Sequence, residues 1–278
     1  MKVNVAVLRT WALWTFIFLG LTLTTQIGGV VIVGSWFLFR HRIFVKSTRP
    51  RLWAALCSGG IYVLATFLLV PLAAALVGRV PMPVFASVDR PIAARSWLYC
   101  LCNRHYVDQR LHDAVVEVAK DFNEANPGFV IYYLDANFPF VDGFPLLPHL
   151  SHDDGRKLDF TYCYHERGFE DVPALSPSPI GYWVYEPPEP GEAAPYRGRG
   201  SWLRWDFGFL QEMNRGREFD ARRTAEFLRL LLDHPETEKV LLEIHLQERL
   251  QLESPKLRFQ QLNAARHDDH VHYQIRRE

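Results

Sequence analysis

His267-Asp268-Asp269-His270-Val271-His272-Tyr273-Gln274-Ile275 is the stretch on which the predicted fold depends. Its second half, 271–275, is rich in β-branched and aromatic residues and predicts a final strand. Side chains two positions apart in a strand share a face, so His270 and His272 point to the same side. Upstream, the segment 149–159 turns at Gly155 and leads into a second predicted strand, 157–164. The two histidine-rich segments are therefore expected to meet in space.

The two segments together supply five histidines and several carboxylates, which are zinc ligands in proteins. A turn at Gly155 brings His152 and Asp159 toward one metal, and either His270 or His272 adds a third ligand. Three protein ligands leave the fourth zinc position open, as at catalytic sites where the metal acts as a Lewis acid. The sequence thus predicts a zinc hydrolase.

The first 79 residues have a composition typical of a membrane anchor. They contain no Asp or Glu, and two uncharged apolar runs extend from Trp11 to Phe39 and from Leu52 to Gly78. Each run exceeds the ~20 residues that a helix needs to cross a bilayer. The sequence predicts two transmembrane helices, at about 11–39 and 52–78.

Charge predicts the orientation of these helices. The loop from Arg40 to Arg51 holds five Lys/Arg, against Lys2 and Arg9 at the N-terminal flank. The positive-inside rule places this loop in the cytoplasm, and with two spans both termini lie outside. The predicted location is the cytoplasmic (inner) membrane, with a multi-pass anchor in the lipid bilayer and a domain that faces the periplasm or cell exterior.

Residues 80–278 hold all 31 acidic residues of the chain and 23 of its 31 basic ones, a formal charge of about −8. This balance argues against nucleic acid as a partner, because phosphate binding needs a basic face. Cys100 or Cys102 has two possible roles: a disulfide with Cys163 in an oxidising compartment, or, less in keeping with the spacing, a second metal site.

Helices and strands alternate irregularly in this part of the chain, which favours an α+β domain. A linker is expected at 80–98, and the domain at 99–278. Residues 168–200 form an irregular stretch that holds Tyr182, Trp183, Tyr185 and Tyr196, and it is either a lid over the site or a loop packed on itself. The remaining predicted elements are helices at 107–125, 220–232 and 255–265 and strands at 129–134 and 239–244.

The spacing Ser151-His152-x-x-Gly155-x-x-x-Asp159, followed by His270-x-His272, resembles the LAS group of zinc peptidases. This group includes lysostaphin-type enzymes, D-Ala-D-Ala metallopeptidases and the hedgehog signalling domain. The similarity is closest to penicillin-insensitive murein endopeptidases, which share the His149-x-Ser-His152 run and the terminal His-Asp-Asp-His-x-His. The resemblance covers roughly residues 129–276, and it implies a small antiparallel sheet with flanking helices.

The resemblance also implies roles for individual residues. His152, Asp159 and His272 correspond to the zinc ligands, and His149 is a nearby imidazole or an additional metal contact. His270 or Asp269 is the implied general base, and His267 the transition-state stabiliser or proton donor. The implied substrates are peptidoglycan peptides of the cell wall, cleaved at their cross-links.

Two alternatives share this fold: a D-Ala-D-Ala carboxypeptidase or dipeptidase, and a zinc-containing binding domain without catalysis. The chain also departs from the soluble murein endopeptidases through its membrane helices, its acidic pair Asp153-Asp154 and its middle region. Arg104 and His105 are either binders of a substrate carboxylate or solvated residues ahead of a helix.

Overall fold

The computed structural model describes residues 5–193, 209–211, 216–260 and 265–277. The helices are α1 (Val5–Thr25), α2 (Gly34–Leu38), α3 (Pro50–Leu64), α4 (Val70–Ala75), α5 (Trp97–Leu101), α6 (Gln109–Ala125), α7 (Ala221–Asp233) and α8 (Ile244–Arg249), with π-helical turns at Gly29–Val33, Phe39–Ile43 and Ala65–Leu69. The strands are β1 (Arg79–Pro81), β2 (Ile92–Ala94), β3 (Tyr106–Asp108), β4 (Ile131–Tyr133), β5 (Lys157–Phe160), β6 (Tyr164–Glu166), β7 (Phe169–Ala174), β8 (Arg217–Phe219), β9 (Thr237–Leu241), β10 (Leu257–Arg258) and β11 (Val271–Ile275).

Two helices are long and apolar enough to cross a membrane, Val7–Thr25 within α1 and the continuous helix Pro50–Ala75. The prediction of one span over 11–39 is wrong, because the helix breaks at Gln26, whose φ is +66°. A left-handed residue ends a helix, and the chain then reverses.

Residues 28–43 fold back against α1 as an antiparallel hairpin. Gly29 lies against Thr22, while the ring centroids of Trp14 and Trp36 are 4.3 Å apart further along. A Cβ at Gly29 would collide with the Phe18 carbonyl and the Thr22 hydroxyl, so the close approach needs glycine. The N-terminal end of α1 and the loop 44–49 therefore lie at the same end of the hairpin.

The domain is built on a six-stranded sheet in the order β10-β9-β11-β5-β4-β2. Its centre is antiparallel, but the outer pairs β10–β9 and β2–β4 are parallel. The sheet is thus mixed rather than purely antiparallel. A smaller three-stranded sheet, β7-β6-β8, lies beside it.

Helices α6 and α7 contribute their apolar faces to the main core. The ring of Phe227 on α7 packs edge-on against Phe122 of α6 and Phe160 of β5, with centroids 5.8 and 5.2 Å apart. Both helices begin at an aspartate whose carboxylate accepts a backbone N–H of the first turn, Asp108 and Asp220. Such caps satisfy donors that the helix itself leaves unpaired. The two predicted helices are confirmed.

Other elements differ from the predictions, chiefly where a strand forms by pairing with a segment that is distant in the sequence. The expected linker 80–98 contains β2, which pairs with β4 at the sheet edge. The irregular stretch after Gly168 begins with β7, and residues 194–200 lie outside the described part. The expected helix 255–265 holds the strand β10 instead, while 261–264 are not described. The predicted strand 157–164 is interrupted after Phe160 and restarts at Tyr164.

All four cysteines are free, so of the two roles considered for Cys100 and Cys102 the disulfide with Cys163 is not formed. The thiol of Cys100 instead lies 3.6 Å from the Tyr133 hydroxyl. Burial raises the pKa of the Cys100 thiol to about 11 and that of Cys163 to about 12, which keeps both protonated.

Candidate metal centre

The pairing of β5 with β11 brings the two histidine-rich segments together. Asp159 and His272 are direct partners in this antiparallel ladder, so their side chains leave the sheet side by side. His152 reaches the same point from the turn that precedes β5. The register of one strand pair thus converts a separation of 113 residues into contact.

Three potential ligand atoms form a nearly equilateral triangle. His272 Nδ1 lies 2.9 Å from Asp159 Oδ1 and 3.0 Å from His152 Nε2, and the third edge, His152 Nε2 to Asp159 Oδ1, measures 3.1 Å. Tetrahedral zinc with bonds of 2.0–2.1 Å separates its ligand atoms by about 3.3 Å. All three residues are buried. The donor set and its spacing therefore fit zinc.

The tautomer of His152 is fixed in the form that a metal ligand requires. Its Nδ1 lies 2.8 Å from the Ala136 carbonyl, which can only accept, so Nδ1 carries the proton. The unprotonated Nε2 then directs its lone pair toward Asp159 and His272. An outer hydrogen bond of this kind orients a ligating imidazole and raises its basicity.

Gly155 shapes the turn that delivers His152. Its φ is +78°, and a Cβ there would overlap the guanidinium of Arg79. The Gly155 N–H donates to the Asn137 side chain at 3.0 Å, which ties the turn to the sheet edge. The neighbouring acids Asp153 and Asp154 both form ion pairs with Lys157. Asp154 also pairs with Arg156.

The second oxygen of Asp159 faces a different set of groups. Tyr182 donates its hydroxyl to Oδ2 at 2.7 Å, and His149 Nδ1 lies 3.2 Å from the same oxygen. The possible ligand atoms of His149, His152 and Asp159 all lie within 4.8 Å of one another, so this group could also bind a metal ion. The ligand atoms of His152, Asp159 and His272 lie closer together than those of the group with His149. These shorter distances favour His272 over His149 as the third ligand.

His149 is held by two carboxylates. Its Nδ1 lies 3.3 Å from Asp135 and 3.2 Å from Asp159. Burial lowers the pKa of His149, but the two acids outweigh burial and raise the pKa to about 10. Asp135 is in turn paired with Arg104, whose Nε and Nη2 lie 2.7 and 2.8 Å from its two oxygens. Arg104 is therefore neither a solvated helix residue nor an unpaired cation.

His270 forms a buried dyad with Asp269. The Nδ1 of His270 lies 2.5 Å from Asp269 Oδ1, and the other oxygen of Asp269 accepts the Trp183 backbone N–H at 2.6 Å. Burial lowers the pKa of His270, but Asp269 and Asp159 outweigh it, so the pKa is raised. The far nitrogen, Nε2, lies 3.7 Å from Asp159 Oδ2, toward the triangle.

His267 completes the cluster behind His270. The two ring centroids are 4.9 Å apart, and the centroid of His272 is 5.9 Å away. Burial and the neighbouring imidazoles of His270 and His272 hold the pKa of His267 well below its ordinary value. A neutral imidazole with one N–H is a suitable hydrogen-bond donor to developing negative charge.

The structure brings together every site residue predicted from the sequence: His149, His152, Asp159, His267, Asp269, His270 and His272. Sequence reasoning missed Tyr182 and Asp135 as parts of this cluster. Tyr182 lies in the stretch treated as a lid or surface loop, and its aromatic content was the available signal. Burial of Tyr182 against Asp159 makes the part of this loop around Tyr182 a wall of the centre.

Comparison with known proteins does not assign the chain to a family. No protein-family model matches the chain, and no curated protein matches it at a significant level. The fold and site define an α/β protein with two helices long enough to cross a membrane and a candidate metal centre on its central sheet.

Proposed function

We propose that this protein is a membrane-anchored zinc metallopeptidase of the LAS type that hydrolyses peptide cross-links of peptidoglycan. The observation that carries the proposal is the triangle formed by His152, Asp159 and His272, with edges of 2.9–3.1 Å and the His152 tautomer fixed for metal binding. When bound there, zinc supplies a Lewis acid that acidifies water and polarises an amide carbonyl.

The surrounding residues have distinct tasks in amide hydrolysis. His270 is the proposed general base, because its Nε2 faces the triangle while Asp269 holds its Nδ1. Asp269 orients His270 and does not act as the base itself, since both its oxygens are already occupied. His267 donates its N–H to the oxyanion that forms as the carbonyl is attacked.

The hairpin at Gln26 suggests a topology that differs from two simple spans. The N-terminal flank and the loop 40–51 lie at one end of the hairpin and hold seven of the eight basic residues of 1–79. The positive-inside rule assigns this end to the cytoplasm. Helix 50–75 then crosses once and carries the domain to the periplasm or cell exterior, where peptidoglycan is found. The N-terminus is cytoplasmic in this arrangement.

Engagement of Arg104 favours an endopeptidase over a D-Ala-D-Ala carboxypeptidase. A carboxypeptidase needs a cation for the terminal carboxylate of its substrate. Arg104, which borders the centre, already pairs with Asp135 through two nitrogens. Arg104 is therefore not available to bind the terminal carboxylate of a substrate.

The test uses the full chain in detergent, with bound zinc quantified and cross-linked muropeptides as substrate. We expect one zinc per chain and release of uncrosslinked muropeptide, both abolished by His152→Ala. Loss of only a terminal D-Ala would indicate the carboxypeptidase. Stoichiometric zinc without any product would contradict the peptidase and favour a non-catalytic zinc-containing domain.

Reporter fusions at the N-terminus and at Arg90 test the topology. We expect the two reporters to lie on opposite sides of the membrane.

A further inference from the structure

The domain rests directly on the turn of the membrane hairpin. Asn103 donates its side-chain amide to the Thr25 carbonyl at 3.2 Å, and Tyr62 of the long helix donates its hydroxyl to the Leu101 carbonyl at 2.6 Å. The Phe140 N–H donates to the Gln26 side chain at 3.0 Å. Contacts with Thr25, with Gln26 and with Tyr62 of the long helix fix the position of the turn beneath the domain.

In the proposed topology these contacts lie within the thickness of a bilayer. At 1.5 Å per residue, Tyr62 is about 17 Å along its helix from Arg51. By the same rise, Thr25 is about 24 Å from Arg9 along α1. The hydrocarbon core of a bilayer is about 30 Å thick. If the basic ends of both helices lie at the cytoplasmic surface, Leu101 and Asn103 therefore lie within the outer leaflet.

The segment at this depth has the composition of a membrane-embedded element. Residues 96–103, which contain α5, carry no charged side chain. Trp97 and Leu98 are 63% and 42% exposed, although both are apolar. A tryptophan in this position is typical of the membrane interface, where its ring is apolar and its N–H is solvated.

The loop that carries His149 has the same character. Val141, Leu147 and Leu150 are each more than half exposed, at 55%, 52% and 59%. Asp142 pairs with Arg79, but its side chain is 73% exposed, so the apolar character belongs to the part of the loop around Leu147 and Leu150. Arg104, directly after the α5 segment, donates to the Leu147 carbonyl at 2.8 Å, so this end of the loop lies next to the α5 segment.

We infer that α5 and the part of the loop around Leu147 and Leu150 are immersed in the outer leaflet, and that the metal centre receives a peptide anchored in that leaflet by a lipid. This inference rests on the proposed membrane placement and peptidase function. His149 follows Leu147 by two residues and lies 3.2 Å from Asp159, so the centre adjoins the immersed surface. Immersion confines enzyme and substrate to one plane and raises their effective concentration.

Depth is measured without reference to activity. The full chain, with its native cysteines replaced by alanine, is reconstituted in phosphatidylethanolamine–phosphatidylglycerol vesicles and spin-labelled at Trp97→Cys or, independently, Leu98→Cys. We expect collisions with oxygen to exceed those with a water-soluble nickel chelate several-fold at both positions. Glu124→Cys, on the exposed face near the end of α6, should show the opposite preference. Labels at 97 and 98 as water-accessible as that at 124 would overturn the immersion.

The substrate class is tested with one cross-linked muropeptide in two forms, free and coupled to a synthetic dialkyl anchor in the same vesicles. We expect the anchored form to be cleaved several-fold faster, and Trp97→Asp to reduce this ratio. Phe169→Asp, at a residue of similar exposure on β7, should leave the ratio unchanged. Equal rates for the two forms would refute the lipid-anchored substrate, whereas cleavage of neither form would refute the peptidase and leave immersion to the depth measurement.

Discussion

Asp159 and His272 are paired residues of adjacent antiparallel strands, and Asp159 Oδ1 lies 2.9 Å from His272 Nδ1. A carboxylate and an imidazole placed side by side on a sheet are held by the backbone ladder rather than by a flexible loop. Ligands on rigid elements lose little conformational entropy when a metal binds. The strand pair therefore preorganises two of the three proposed ligands, and only His152 depends on a turn.

Asp159→Asn tests the central ligand with almost no change in volume. The substitution removes the negative charge and offers a neutral amide in its place. We expect zinc affinity to fall by more than about 100-fold, since loss of an outer-shell partner alone costs 10–100-fold. Competition with a chromophoric chelator measures the change. Asp268→Asn is the matched control, because Asp268 pairs with Arg266. Equal affinity in the two variants would remove Asp159 from the ligand set.

Tyr182→Phe tests the hydrogen bond that orients Asp159. The tyrosine hydroxyl donates to Oδ2 at 2.7 Å in a buried environment. Its removal leaves that oxygen without its shortest partner, so we expect a 10- to 100-fold loss of zinc affinity. Tyr164→Phe is the control, since the Tyr164 hydroxyl bonds to Glu186 instead. If zinc affinity drops equally in both variants, the effect comes from general destabilisation.

Asp269→Asn separates orientation of the base from metal binding. We expect zinc content to be retained while kcat falls by about 10²- to 10⁴-fold, the usual contribution of a positioned acid–base group. The carboxylate also raises the pKa of His270, so its loss lowers that pKa. A base works in its neutral form, and the acidic limb of the kcat profile should therefore move to lower pH. A profile that does not move would contradict the assignment of His270 as base.

Glu186→Gln tests a buried carboxyl away from the metal ligands. Burial raises its pKa from 4.5 to about 7, although Tyr164 donates a hydrogen bond to it. A carboxyl with a raised folded pKa binds its proton more tightly in the folded state. Stability is therefore lost as pH rises from about 4.5 through 7, by on the order of 3 kcal/mol.

Glutamine keeps the acceptor oxygen for Tyr164 but does not ionise. We expect Glu186→Gln to raise Tm more at pH 8 than at pH 5, as measured by thermal unfolding in detergent. Glu124→Gln, at an exposed position on α6, is the control and should change Tm equally little at both pH values. A gain that is the same at pH 5 and pH 8 would show that Glu186 is not the titrating group.

Local sequence was sufficient wherever one element depends on its own residues. The helices α6 and α7 and the strand β11 were all predictable from short-range patterns. The paired histidine segments were predictable for the same reason, because ligand chemistry and spacing are local properties. The strand β2, by contrast, lies in a Pro-rich segment that resembles a linker and is ordered by pairing with β4.

The break of the first apolar run shows a different limit of prediction from sequence. Hydropathy over 11–39 is continuous, and Gln26 is its one long polar side chain, yet the chain reverses there. The reversal is stabilised by close packing at Gly29 and by the bond from Phe140 to Gln26, contacts that hydropathy does not record. Orientation of the N-terminus depends on this tertiary feature.

The sequence by itself determined which residues could bind a metal, because imidazoles and carboxylates are recognisable in any conformation. It also determined that the first 79 residues are apolar and basic, since composition requires no fold. Only the tertiary structure decided that strand register places His272 Nδ1 2.9 Å from Asp159 and 3.0 Å from His152, and that Tyr182 donates its hydroxyl to the second oxygen of Asp159. These relations depend on strand register and on a loop that packs back onto the centre, which are distances between residues far apart in the chain.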